Sequence, residues 1–405
     1  MNSTTAILPH LTRFYRKHLL DDVIGFWADR TEDVEHGGFL VPHDRLGHCT
    51  GTDKNIWCQG RQTYTFAELY QKIDRNPRWL ELAKVGRDFL VRHAYIGEGR
   101  WRYLLNRQGK PINETPSFFT DSSVLMGLCA YAVASGVQDD AALIAETYTR
   151  LEQAFEDPNF NEFHHFNLDP KLFWMSPRMM LIGLAPLVRP IIGEDRLRPL
   201  LDRCLDDVLN TFANEEHRVV FEVLHRDGSV MHALPGRMLN PGHALEVSWF
   251  CMEEGIARND QTIIDKSARM CDWMFRKGYD EQHGGLLAFV DAFGHQPPGT
   301  ETVTPWGERW DDKVWWVHSE AMYALLLTAV TRDDAVAFER FLELHDYCQR
   351  YFADHAFGEW YEYLNRCGTP RSPNKGTWIK CAFHLPRNLI RIVHLLENQA
   401  GESMP

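Results

Sequence analysis

Isolated histidine and glutamate residues near predicted helix starts are the groups in this sequence that could move protons. His243 and Glu246 occur in the segment Asn-Pro-Gly-His-Ala-Leu-Glu, and residues three apart on a helix share one face. A carboxylate placed there can hold an imidazole in one tautomer and support its protonated form. From spacing alone, a capping role for this pair at a helix start is an equally good interpretation.

His384 is the second candidate for proton transfer. It lies in Trp-Ile-Lys-Cys-Ala-Phe-His-Leu-Pro-Arg, after an apolar stretch and before a proline that must disturb the early helix. A single histidine on an apolar face is more often a satisfied core group, but this one begins a predicted helix, as His243 does. Imidazole suits proton transfer near neutrality because its reference pKa, about 6.5, lets both forms exist.

Two further segments carry candidates for contacting a small polar ligand. Trp57 and Arg61 are four residues apart and share a helix face. The planar fork of an arginine suits pairs of oxygen atoms on a sugar or an acid, although an ion pair with a nearby carboxylate explains it equally well.

His318 and Glu320 are only two residues apart, so on a regular helix they point to different sides. We expect at most one of them to reach a ligand. We favour Glu320, with Trp315 or Trp316 as a stacking wall.

The sequence gives no support for a metal or phosphate site. The segment 47–54, Gly-His-Cys-Thr-Gly-Thr-Asp-Lys, lacks the spacing of a phosphate-binding loop. The nine cysteines contain no Cys-x-x-Cys pair, and no His-Glu-x-x-His motif occurs. The adjacent His164 and His165 have no spaced third ligand. We therefore expect no metal and no cofactor.

These residues are positioned by a segment that recurs roughly every 60 to 70 residues, a period that signals a repeat architecture. Each copy is a short apolar strand that runs into a polar glycine turn, which predicts a β-hairpin. Copies occur at 37–47, 99–109, 219–228, 284–294 and 358–368, with a faint sixth at 164–170. Two helical stretches follow each hairpin, so the repeat predicts an all-α ring of six helix pairs with its hairpins at one end.

Helices are predicted in twelve places. Their ranges are 7–29, 57–73, 77–94, 120–135, 139–156, 175–190, 194–213, 242–258, 261–277, 314–330, 333–353 and 379–398. The helix directly after each hairpin carries the candidate residues near its start, so a small-ligand pocket is expected at that end. One repeat cannot bury its own helix faces, so we predict a single domain over residues 1–405.

Composition excludes some classes of protein. A formal net charge of −13 argues against nucleic-acid binding, which needs a basic surface. The first residues lack the apolar core of a signal peptide, and no apolar run approaches the length of a membrane span. With no paired cysteine pattern either, we expect a cytoplasmic protein that does not contact membranes.

Three segments resemble the N-acylglucosamine 2-epimerase family. They begin at Trp57 (Trp-Cys-Gln-Gly-Arg), at Trp315 (Trp-Trp-Val-His-Ser-Glu-Ala-Met) and at Lys380 (Lys-Cys-Ala-Phe-His-Leu-Pro-Arg). The resemblance covers nearly the whole chain, hairpins included. It implies an (α/α)6 barrel of twelve helices with short β-hairpins at one end, in agreement with the repeat.

The resemblance also implies a set of functional residues. The family's own positions fall on Arg61, His243, Glu246, Glu320 and His384. Further predicted substrate-binding residues are Trp57, Trp316, Met180 and Lys380.

The family includes N-acylglucosamine 2-epimerases, cellobiose 2-epimerases and mannose-type aldose–ketose isomerases. The latter two resemble each other in an extra histidine on the helix that here reads Met-Ser-Pro-Arg-Met-Met-Leu from Met175. Its Met179–Met180 pair is similar to the N-acyl branch. Arg178, beside that pair, is expected to sit near the pocket and alter substrate choice.

The resemblance therefore implies a sugar 2-epimerase that interconverts N-acetylglucosamine and N-acetylmannosamine. His243 and His384 would transfer protons at C2, and Glu246 would orient His243. A homodimer is implied, and ATP stimulates some members of this branch without being consumed, although no ATP motif is found in the sequence.

Three alternatives stay open at this point. An aldose–ketose isomerase acting on mannose-type sugars uses nearly the same residues. A glycoside hydrolase or lyase on the same barrel would use Glu246 and Glu320 as its two carboxylates. A non-catalytic sugar or protein binder is the third.

Overall fold

The computed structural model describes residues 2–115, 117–157, 169, 171–294, 303–304 and 307–402. The faint hairpin copy at 164–170, with its pair His164 and His165, lies outside these residues except for residue 169. In the described part of the chain, thirteen α-helical segments alternate with eleven short strands.

The helices follow the predicted pattern closely. The first is continuous from α1 (Asn2–Lys17) through a π-helical stretch (His18–Ile24) to α2 (Gly25–Ala28). The others are α3 (Ile56–Lys72), α4 (Pro77–Phe89), α5 (Phe118–Ser135), α6 (Ala141–Glu156), α7 (Ser176–Ile192), α8 (Glu194–Asp206), α9 (Pro241–Arg258), α10 (Gln261–Gly278), α11 (Trp315–Arg332), α12 (Ala335–Tyr351) and α13 (His384–Glu402). Two of them, α4 and α8, also end in π-helical turns, Leu90–Ala94 and Asp207–Phe212. With α1 and α2 taken together, the twelve predicted helices are confirmed.

The strands form small antiparallel sheets. Their bounds are β1 (Lys54–Asn55), β2 (Leu104–Leu105), β3 (Pro111–Asn113), β4 (Leu172–Trp174), β5 (Ala213–Asn214), β6 (Val219–Val220), β7 (Val223–His225), β8 (Met238–Leu239), β9 (Val290–Asp291), β10 (Lys313–Val314) and β11 (Tyr363–Leu364). The sheets are β1-β2-β3, β4-β7, β5-β6, β8-β9 and β10-β11. In β1–β2 and β10–β11, the strand just before a helix pairs with a strand of the following hairpin.

The chain forms two compact units. The first contains residues 1–150, 353–362 and 373–405, and in it α3 packs on α5 and α4 while α13 packs on α1 and α3. The second contains residues 151–352 and 363–372, and in it α9 packs on α7, α10 and α11. The single domain inferred from the repeat stays a prediction.

The helix α5 is the one described helix long and apolar enough to cross a membrane by length and composition. Its 18-residue apolar window is 89% buried within the structure, as in the core helix of a folded protein. It packs closely on α3, since a Cβ on Gly60 would lie 2.3 Å from the carbonyl oxygen of Ser123.

The hairpin glycines explain the recurring turn of the sequence repeat. The glycine that ends each of the five clear copies has a φ between +78° and +91°, a region that side chains with a Cβ rarely adopt. These residues are Gly47, Gly109, Gly228, Gly294 and Gly368. Each copy therefore turns at the same place.

A buried ion cluster, here called the Asp–Lys–Arg triad, occurs three times in the described residues. In each, one aspartate oxygen accepts hydrogen bonds from a lysine and an arginine Nε, and the other accepts from the same guanidinium. The three triads are Asp33–Lys54–Arg107, Asp280–Lys313–Arg366 and Asp354–Lys375–Arg45. All three lysine side chains are fully buried. Each triad joins three separate segments of the chain, because its aspartate, its lysine and its arginine lie far apart in the sequence.

His318 has a structural role rather than a catalytic one. Its Nδ1 donates to the carbonyl of Val314 at 2.8 Å, and its Nε2 accepts the N–H of Leu286 at 2.9 Å. Burial lowers the pKa of this histidine to about 3. In the first repeat Gln59 makes the corresponding hydrogen bond to the hairpin, because its side-chain oxygen accepts the N–H of Phe39 at 2.7 Å.

We expect the free energy of unfolding of His318→Gln to fall less steeply than that of the wild type as the pH is lowered into the mildly acidic range. The unfolded chain takes up a proton at His318 below about pH 6.5, whereas the folded chain does not. Stability is therefore complete above that pH and falls as the pH is lowered, by up to about 1.4 kcal/mol per pH unit. Glutamine keeps the acceptor and does not titrate.

Urea unfolding at several values between about pH 7.5 and 5 measures this difference. The matched control is His283→Gln, an exposed histidine that should leave the slope unchanged. Equal slopes in wild type and His318→Gln would contradict the prediction.

Candidate active site

In the second unit, the start of α9 holds His243 in a fixed position. Asn240 caps this helix, and its side-chain oxygen accepts the backbone N–H of His243 at 3.1 Å. Pro241 occupies the first helical position, where the missing N–H costs no hydrogen bond. The local sequence Asn-Pro-Gly-His thus sets both the helix start and the position of the imidazole.

The carboxylate that contacts His243 belongs to Glu222, not to Glu246. The Nδ1 of His243 lies 3.1 Å from Oε1 of Glu222, which precedes β7. Burial alone would lower the pKa of His243, but the charge and hydrogen bond of Glu222 oppose it. With smaller contributions from Glu246 and Glu308, they raise this pKa above its usual value.

Trp316 packs against the imidazole of His243. Its ring centroid lies 5.1 Å from that of His243. Gly242 permits the approach, because a Cβ at that position would lie 2.4 Å from the Trp316 ring. Trp316 thus packs against a predicted catalytic residue, and its role as a stacking wall for a ligand stays a prediction.

The two predicted glutamates of the second unit are both buried. Glu246 is 5% exposed and lies one turn beyond His243 on α9. Glu320 has no exposed surface, and its Oε2 accepts the indole N–H of Trp249 at 2.9 Å. Glu320 is thus held rigidly between α11 and α9.

In the first unit, Arg61 lies between two aromatic rings. Its guanidinium carbon is 4.0 Å from the ring centroid of Trp57 and 4.4 Å from that of Phe383. Such cation–π contacts fix the plane of the guanidinium while leaving its edge for hydrogen bonds. Trp57, predicted to bind substrate, thus contacts the predicted binding arginine.

His384 lies at the edge of the Arg61 guanidinium. The Nη1 of Arg61 lies 3.1 Å from Nε2 of His384, and the Nη2 of Arg387 lies 3.4 Å from its Nδ1. Because an arginine only donates, Nε2 is the acceptor toward Arg61, so a neutral ring carries its hydrogen on Nδ1. In that tautomer the contact with Arg61 is a hydrogen bond, whereas Arg387 lies close to Nδ1 without donating to it.

The helix α13 begins at His384, whereas the sequence predicted its start at residue 379. Pro386 therefore lies in the first turn, where proline is tolerated. Lys380 precedes the helix, and its ammonium donates to Oε1 of Glu359 and to the carbonyls of Trp360 and Lys375.

This position corrects the prediction that Lys380 binds substrate. An ammonium has three donors, and protein atoms accept all three here. With 1% of its surface exposed, Lys380 holds the loop before α13 in place.

Arg178 has structural contacts in the second unit, and its influence on substrate choice stays a prediction. Its Nε donates to Oδ2 of Asp207 at 2.7 Å, and its Nη1 donates to the carbonyl of Trp174 at 3.0 Å. The guanidinium lies over the rings of Phe173 and Phe155. Arg178 therefore ties the start of α7 to the chain that follows α8.

Met180, on α7 in the second unit, is 7% exposed. Its role in substrate binding stays a prediction, as does the absence of a metal or cofactor.

Sequence reasoning missed Glu222 and the role of Phe383. Glu222 lies 21 residues before His243, outside any helical spacing. The available signal was weak: a single charged residue inside the apolar hairpin strand Val-Val-Phe-Glu-Val-Leu.

The whole chain is similar to known sugar-converting enzymes. Residues 37–383 match the family model for N-acylglucosamine 2-epimerase. The N-acylglucosamine 2-epimerase of Bos taurus is 31% identical over 406 aligned positions, covering 95% of this chain and 91% of that protein. The human enzyme of the same name is 30% identical, covering 93% and 88%.

The solved structures support the fold. The cellobiose 2-epimerase of Spirochaeta thermophila is 18% identical with a TM-score of 0.82, covering 98% of this chain and 100% of that one. This likeness confirms the predicted (α/α)6 barrel as the fold class.

Proposed function

Because this chain belongs to the N-acylglucosamine 2-epimerase family, we propose that it interconverts N-acetylglucosamine and N-acetylmannosamine. The family likeness supports a sugar 2-epimerase, and the mammalian relatives carry the N-acylglucosamine name. The observation that carries the proposal is the imidazole of His243, whose Nδ1 is engaged by a carboxylate and whose pKa is raised. Its Nε2 is then the nitrogen that exchanges a proton with the sugar.

The reaction inverts one carbon. In the open-chain sugar the C1 aldehyde acidifies the hydrogen on C2. One base removes that proton, and the electron pair moves toward C1 to give an enolate with negative charge on O1. An acid then delivers a proton to the opposite face of C2, which restores the aldehyde with the other configuration.

We assign these two proton transfers to His243 and His384, one on each face of C2. The pair of histidines exchanges roles when the reaction runs in reverse. Arg61 carries the positive charge suited to stabilising the developing negative charge on O1. Glu246 adds negative charge near His243. Glu320 accepts a hydrogen bond from the indole of Trp249.

The C2 hydrogen itself reports on the reaction. We expect wild-type protein in deuterium oxide to convert N-acetylmannosamine into N-acetylglucosamine that carries deuterium at C2, as followed by proton NMR. Mannose is the matched second substrate. Formation of fructose from mannose, with N-acetylmannosamine unchanged, would instead place the chain among the isomerases.

The absence of exchange with both sugars would overturn the proposal. An N-acetyl group on C2 blocks simple ketose formation, so the two substrates separate the two reactions. The homodimer, the cytoplasmic location and any response to ATP stay predictions.

Glycoside hydrolysis is the less favoured alternative. A hydrolase needs two carboxylates that flank the scissile bond, one of them with room for substrate or water. Glu320 has no exposed surface and is bonded to Trp249, which does not suit either role.

A further inference from the structure

The side chain of Glu222 has one hydrogen-bond partner within the described residues, and that partner is His243. Its Oε1 accepts from Nδ1 of the imidazole at 3.1 Å, while its Oε2 is buried without a hydrogen bond in that part of the chain. A carboxylate with a purely structural role normally has a full set of donors, because burying it otherwise costs free energy. The arrangement directs the charge of Glu222 toward one imidazole.

The backbone of Glu222 is held on both sides. Its carbonyl oxygen accepts the N–H of Met175 at 3.0 Å, just before α7. The next residue, Val223, begins β7, which pairs with β4 through Trp174. The carboxylate is therefore carried by a fixed strand start, not by a mobile loop.

The imidazole is equally well held. The backbone N–H of His243 is bonded to Asn240, and its ring packs on Trp316. With Nδ1 bonded to Glu222, the ring has one free choice left, which is the protonation of Nε2. This is the arrangement that a proton-transfer histidine requires.

We propose that Glu222 is the positioning residue for His243. It fixes the tautomer with hydrogen on Nδ1, and it supports the imidazolium that forms when Nε2 takes the proton from C2. This inference rests on the proposed function for its catalytic consequence. Its electrostatic part, the coupling of Glu222 to the pKa of His243, does not depend on the substrate.

Glu246 has a different part. It lies one turn along α9 and raises the pKa of His243 through its charge, whereas Glu222 contributes both charge and a hydrogen bond. Removing Glu222 is therefore expected to have the larger effect on the imidazole.

The test is Glu222→Gln. An amide keeps the shape of the side chain but removes its charge, and its NH₂ group can donate to Nδ1 and so favour the wrong tautomer. We expect kcat for C2 exchange to fall on the order of 10²-fold, the scale of general acid–base catalysis. The limb of the pH profile that belongs to His243 should move to lower pH.

A second measurement does not require activity. Ring-nitrogen NMR of ¹⁵N-histidine protein, with His243→Asn to assign the signal, gives the pKa and tautomer of His243 directly. We expect a lower pKa in Glu222→Gln than in wild type. Glu222→Asp keeps the charge at a shorter reach and should restore part of the pKa shift.

The matched control is Glu216→Gln, an exposed glutamate six residues earlier in the same unit. It should leave activity and the His243 signal unchanged. An unaltered His243 pKa and tautomer in Glu222→Gln would overturn the inference.

The two proposals fail separately. If wild type shows no C2 exchange, the proposed function fails, and the NMR titration alone decides whether Glu222 controls His243. If wild type exchanges C2 hydrogen and Glu222→Gln does so equally fast with an unchanged pH profile, only the positioning role fails.

Discussion

Replacing His384 by alanine is expected to abolish net epimerisation while C2 hydrogen of one epimer still exchanges with solvent. With one base left, His243 can remove and return a proton on its own face, but nothing delivers a proton to the other. We expect the interconversion rate to fall by about 10³-fold or more, within the range of a lost acid–base group. Proton NMR in deuterium oxide measures exchange and interconversion in one sample.

His243→Ala should show the reciprocal pattern, with exchange surviving only for the other epimer. The matched control is His394→Ala, an exposed position on the same helix as His384. Rapid interconversion by either single variant would contradict a mechanism with two histidines. Loss of exchange for both epimers in one variant would show that one histidine serves both faces.

The largest expected effect on stability comes from breaking an Asp–Lys–Arg triad. Asp280→Ala leaves the fully buried ammonium of Lys313 without its anion. Removing one partner of a buried ion pair typically costs about 3–5 kcal/mol, because the remaining charge stays desolvated. Urea unfolding measures the change in the free energy of unfolding.

Two variants test the reason for that loss. Asp280→Ala combined with Lys313→Met removes both buried charges and should recover part of the stability. Glu215→Ala breaks the exposed pair with Arg269 and should cost less than about 1 kcal/mol. A loss no larger than this control in Asp280→Ala would refute a stabilising role for the triad.

The same triad has a defined pH dependence. Although burial alone would raise it, hydrogen bonds from Arg366 and Lys313 hold the pKa of Asp280 well below its usual range. A carboxylate whose pKa falls on folding stabilises the protein above its unfolded pKa of about 4, and this contribution is lost as the pH falls further. Asp280→Ala should lack that part of the acid response.

Local signals in the sequence were enough to predict the helices and the turns. Asn55 and Asn240 cap their helices by accepting hydrogen bonds from backbone N–H groups two or three residues later. Each hairpin glycine occupies a position where φ is positive. The position of His243 near a helix start is likewise set by the residues just before it.

What the sequence could not provide are contacts between distant segments. The apolar stretch from Trp378 to Phe383 reads as the start of a helix. The ammonium of Lys380 instead donates hydrogen bonds to the carbonyls of Trp360 and Lys375, and the helix begins only at His384. Glu222 reaches His243 from a hairpin, and no spacing rule links a strand start to a helix start that follows a long loop.

The third triad joins the two ends of the chain. Arg45, from the first hairpin, and Lys375, from the segment before the last helix, share Asp354, and Arg16 of α1 pairs with Glu397 of α13 at 3.0 Å. The last repeat is thus attached to the first by the contact that attaches consecutive repeats elsewhere.

The point at which the polypeptide begins is consequently arbitrary with respect to these contacts. A circular permutant, with the old termini joined by a flexible linker and new ones opened in the exposed segment 136–139, should keep the same fold.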